Sequence, residues 1–98
     1  MRRFRRFRTT VAISLTTPPE KLCLFLASIR AYLAENPNVW DEQQFVHVND
    51  LENAALIVLV DCLLIAPTRE TELQTREAVL QHLLASAAAL DVELSPTA

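Results

Sequence analysis

The chain has 98 residues, 51% of them hydrophobic, a formal net charge of −3 and no glycine. That length holds one core and excludes two domains, and that hydrophobic share excludes intrinsic disorder. The missing glycine excludes phosphate-cradling loops and dinucleotide fingerprints, which need it where backbone closes on an anion.

In chain order, residues 1–8 interleave Arg2, Arg3, Arg5, Arg6 and Arg8 with Phe4 and Phe7, so five of the 9 basic residues stand before Thr9 and the remainder is acidic. A short arginine block on an acidic body reads as a linker or electrostatic tether, because a nucleic-acid-binding domain spreads positive charge over a folded face. These five arginines are the candidate linker or anionic-surface contacts, phosphate of lipid or RNA being the chemistry they suit. Val11, Ile13 and Leu15 then alternate with Thr10, Ala12 and Ser14 and predict a strand. Thr17-Pro18-Pro19-Glu20 reads as a helix start, with Thr17 as cap, Pro18 at the first helical position and Glu20 completing a capping box. Leu22, Phe25, Leu26, Ile29 and Leu33 follow at helical spacing, and Asn36-Pro37 ends the helix.

Phe45 to Asp50 and Ala54 to Ile65 are rich in strand formers and predict an antiparallel hairpin through the polar stretch 49–53. The second of these runs is apolar on both faces, which suits a central strand. With Asp61 inside it and fewer than the roughly 20 residues a bilayer helix needs, it is not a membrane span. Thr68 predicts the cap of a second helix carrying an apolar stripe of Leu73, Leu80, Leu83, Leu84, Ala87 and Leu90, and Asp91 to Leu94 predict a short last strand. Without glycine, positive-φ turns fall to Asn and Asp. The order βαββαβ predicts an α+β ferredoxin-like two-layer sandwich, an antiparallel sheet with both helices on one face. It spans residues 9–95, with 1–8 as a basic lead-in and 96–98 as a tail.

Little in the sequence points to catalysis. Asp61 faces solvent, an arginine or an interface, since an unpaired buried charge is costly. His47 and His82 lack metal-ligand spacing, Cys23 and Cys62 are isolated, and Glu70, Glu72 and Glu77 read as a solvated helix surface beside Arg69 and Arg76. No nucleophile, base and orienter converge, so neither an enzyme nor a cofactor is expected. Nucleic acid is not the expected partner, because an RNA-recognition sheet of this topology displays aromatics on its central strands and 54–65 holds none. A free-standing regulatory module that binds a ligand as a homo-oligomer is the alternative the two-faced strand suggests.

Several segments resemble the C-terminal cytoplasmic domain of the small-conductance mechanosensitive ion channel (MscS) family: the basic stretch Arg2 to Thr10, then Thr17-Pro18-Pro19-Glu20-Lys21, Ile29-Arg30-Ala31-Tyr32-Leu33 and Asn36-Pro37-Asn38-Val39. Thr75-Arg76-Glu77 and Val92-Glu93-Leu94-Ser95-Pro96-Thr97 resemble later parts of it. Leu51-Glu52-Asn53-Ala54 departs, standing without glycine where the family has a glycine-containing turn. The resemblance implies a non-catalytic domain of a channel subunit that helps form an oligomeric vestibule below the pore. Its partners would be neighbouring subunits, and the membrane through segments of the parent. It also implies a place on the cytoplasmic side of a bacterial inner membrane.

Overall fold

The computed structural model describes residues 4–95 and contains β1 (Phe4–Ser14), α1 (Pro19–Glu35), β2 (Phe45–Glu52), β3 (Ala55–Ile65) and α2 (Arg69–Ala89). The sheet runs β1-β3-β2 and is antiparallel throughout, so the all-apolar strand is central, as its sequence predicts. Two helices and an antiparallel sheet make the fold α+β. The expected fourth strand is reduced to a single bridge, Ile13 with Leu94, flanked by bonds from Ser14 N to Glu93 O and from Ser95 N to Ala12 O. Its shortness follows from what precedes it, since α2 consumes the chain up to Ala89 and a lock at its end takes Asp91 and Val92.

That lock is a Schellman arrangement: Asp91 N bonds Ala88 O and Val92 N bonds Ala87 O, with Asp91 left-handed at φ 56°. Asn53 also has positive φ, as its residue type predicts, but so do Gln43 and Ala54. Ala54 and Asn53 form the two-residue β2–β3 turn, where a hairpin's right-handed twist demands positive φ from whichever residues stand there.

Three further expectations are corrected. The lead-in expected over 1–8 is, from Phe4 on, the first half of β1, paired with β3 as far as Phe4–Ile65. Thr17 does not cap α1. Pro18 occupies the N-cap position, and the Thr17 hydroxyl donates back to Ser14 O at 2.7 Å, closing the strand-to-helix turn instead. Thr68, by contrast, does cap α2, accepting from Thr71 N at 3.1 Å. The third correction is to α2's inner face, which is Glu72, Thr75, Val79, Leu83, Ser86 and Ala87; Leu73, Leu80 and Leu84 lie exposed on its flank.

The core lies between the sheet and the helices. Phe25, Ile29 and Leu33 of α1 and Val79 and Leu83 of α2 meet Phe7 and Ile13 of β1, Val46 of β2 and Val58, Val60, Cys62 and Leu64 of β3. The register fixes this, because residues opposite one another on neighbouring strands share a face: Phe7 stands opposite Cys62 and Val46 opposite Val60.

Candidate interaction surface

The same register assigns the outer face of the sheet, away from the helices. Phe4, Arg6 and Arg8 of β1 stand opposite Ile65, Leu63 and Asp61 of β3, and Phe45 and His47 of β2 oppose Asp61 and Leu59. The loop before β2 extends this face. Asn38 O accepts from Ile65 N and Trp40 N donates to Leu63 O, which buries Val39 inward and turns Trp40 outward against Phe4, ring centroids 5.0 Å apart. The result is an open sheet face with Phe4 and Phe45 exposed and Ile57, Leu59, Leu63 and Ile65 half-buried.

One ion pair crosses this apolar field. Arg6 Nη2 donates to Asp61 Oδ2 at 2.8 Å, reaching diagonally past Arg8, which stands directly opposite Asp61. Asp61 is buried while Arg6 is more than half exposed, so Arg6 acts as a lid on an acid that the apolar strand would otherwise strand without a partner. Of the three open fates of Asp61, pairing with an arginine is the one realised.

Arg5 points the other way. Its Nε lies 3.8 Å from Glu72, and Arg76 and Arg69 approach the same carboxylate at 3.6 and 4.0 Å. Glu72 is thus a buried acid held by three arginines, not the solvated residue its sequence position predicts. Arg76 also lies over the Phe7 ring, 5.1 Å from its centroid, so cation–π contact and ion pairing fasten α2 above β1. Of the five candidate arginines, then, Arg5 and Arg6 serve internal acids and Arg8 is exposed on the outer face, while Arg2 and Arg3 lie outside the described residues.

The remaining polar groups form no reactive constellation. His82 stacks on Tyr32 with ring centroids 4.2 Å apart and meets Ser28 Oγ at 3.2 Å, which makes it a packing residue between the helices. Cys62 is buried and Cys23 exposed, both as free thiols; burial, aided by the neighbouring Asp61 charge, pushes the Cys62 thiol up to about 11. Among the described residues no three His, Cys, Asp or Glu gather as metal ligands, and no helix is long and apolar enough to cross a membrane. A groove of about 590 Å³ runs between the helices past Leu24, Ala27, Ala85 and Ala89, and the buried Ser86 Oγ beside it has no hydrogen-bond partner among the described residues.

The missed features share one cause. The Trp40 and Phe45 contributions to the outer face depend on tertiary pairing, and the only sequence signals for them were one aromatic in a polar connection and one at the start of a predicted strand.

No protein-family profile and no curated protein matches the chain. Solved structures do. A point variant of Arabidopsis thaliana MSL1 superimposes with a TM-score of 0.84 at 17% identity, over 96% of this chain and 36% of that one. Two structures of unaltered MSL1 from the same plant give 0.83 and 0.84, again at 17% identity, covering 96% and 99% of this chain and 34% of theirs. The chain therefore spans about a third of the length of those proteins. MSL1 is a channel of the mechanosensitive family named by the sequence resemblance, and the fold of this chain is the fold of one region of it.

Proposed function

We propose that the chain is the C-terminal cytoplasmic domain of a mechanosensitive channel subunit, a non-catalytic building block of the oligomeric vestibule below the pore. The observation that carries this reading is the agreement of two independent signals. The ordered motifs from Arg2 to Val39 resemble that family's domain, and the whole fold superimposes on a region of a channel of the same family. The open outer sheet face supports it, since exposed Phe4 and Phe45 around half-buried aliphatics suit a domain with neighbouring subunits. On this reading the parent lies in a bacterial inner membrane with this domain facing the cytoplasm, and the chain neither conducts ions nor catalyses a reaction by itself.

The parent reading frame tests it. The expected result is a series of hydrophobic spans and a β domain encoded before residue 1, and loss of channel protection against hypo-osmotic shock when 9–95 is deleted. A reading frame with neither spans nor a β domain overturns it and leaves the free-standing regulatory module.

A further inference from the structure

We propose that the outer edge of β1 from Phe4 to Arg8, beneath an exposed leucine ridge of α2, accepts an extended acidic segment of a partner protein as an added strand. This does not depend on the vestibule reading.

Among the described residues the last segment meets β1 only around Ile13, which leaves the edge from Phe4 to Arg8 without a neighbour. In an antiparallel strand alternate residues aim both backbone groups at the same edge. Ala12 O and Ser14 N are taken by Ser95 and Glu93, so by parity the N–H and C=O of Phe4, Arg6 and Arg8 face outward along the same edge. Among the described residues no backbone group bonds to them. An unpaired run of this kind is a template for strand addition.

Above the edge lies a ridge of exposed leucines, with Glu77 between Leu73 and Leu80. Arg5 and Arg76 tie α2 over β1, and His82 ties its opposite flank to Ser28 of α1. Leu73, Leu80 and Leu84 occupy the flank turned away from α1, on the side of the open edge, and are 48, 43 and 57% exposed. A strand laid on β1 would direct one set of alternate side chains up toward this ridge and the other set beside Arg6 and Arg8.

Charge selects the occupant. Pairing two copies edge to edge through β1 would set arginines against arginines, which disfavours self-association. The opposite edge of the sheet is a poor mate, since a bulge interrupts β2 between Val48 and Asp50 and Arg30 Nη2 already takes Val46 O at 2.6 Å. Arg8 is exposed and has no ion pair among the described residues. The fitting segment alternates acidic with aliphatic side chains.

The test uses the full chain and a fluorescein-labelled Glu-Val-Glu-Leu-Glu-Val-Glu peptide, read by fluorescence anisotropy. Saturable binding that weakens with salt is expected, together with slowed hydrogen exchange at Arg6 and Arg8. A peptide with lysine for glutamate, and one N-methylated where its N–H groups face β1, should each bind at least roughly tenfold more weakly, as should Arg8→Glu and Leu80→Ser proteins. Absence of binding, or equal binding by the N-methylated peptide, overturns the proposal.

Discussion

Arg6 and Asp61 meet at 2.8 Å on the face of the sheet that carries no helix, the acid buried and the guanidinium mostly in water. Removing either partner has unequal effects. Arg6→Ala leaves a buried carboxylate unpaired and should lower stability by about 1–2 kcal/mol, a figure held down by solvent screening at the exposed guanidinium. Asp61→Asn keeps an acceptor and removes the buried charge, so its loss should be smaller. Urea midpoints of the two variants check this; an Asn variant weaker than the Ala variant contradicts the lid role of Arg6.

Ala54 sits at φ 61° in the β2–β3 turn, where a Cβ crowds the backbone. Ala54→Gly removes that crowding at the cost of some unfolded-state entropy, for a net gain of about 0.5–1 kcal/mol. A higher thermal midpoint is expected, and Ala54→Val should lower it.

Ser86 buries a hydroxyl oxygen without a partner among the described residues. Ser86→Ala deletes the orphan and raises helix propensity, so it should stabilise the chain by about 1 kcal/mol. Chemical denaturation reads the gain directly. A destabilised Ala variant would mean that the hydroxyl finds a partner in solution.

The two thiols should behave differently. Cys23 is exposed and should react with a thiol reagent in the folded chain, whereas Cys62 should react only when denaturant opens the core. Burial raises the Cys62 thiol from 9.0 to about 11, so the folded state holds the proton more tightly than the unfolded state. That contribution is intact below pH 9.0 and is lost as pH rises through about 11, roughly 3 kcal/mol in all. A pH series of unfolding midpoints should show this fall in the parent chain and a shallower one in Cys62→Ala.

Sequence periodicity made most of the architecture legible. The β3 run is unbroken by polar residues other than Asp61, and the Phe25, Ile29, Leu33 spacing admits one buried helix face, so both appear as expected. The α2 stripe misled because leucine count outweighed geometry. Leu83 and Ala87 of that stripe do pack inward, but with the smaller Val79 and Ser86, and Glu72 joins them because three arginines compensate its charge. The Thr17 cap misled because two adjacent prolines shift the helix start by one position and Ser14 O competes for the hydroxyl. The outer face was half legible. The second apolar face of β3 announced it, but the partners of Asp61, Trp40 and Phe4 lie far apart in sequence and meet only through strand register.

The bridge between Ile13 and Leu94 has a mechanical consequence. Phe4 and Ala12, where Ser95 is fastened, are separated along one strand by about 26 Å at the usual rise per residue. A pull applied between Phe4 and Ser95 would therefore run lengthwise through β1 and slide it against β3. Every rung of that ladder would be strained at once, so the domain should resist stretching in this direction as a stiff rod, where a pull across the strands would open it rung by rung.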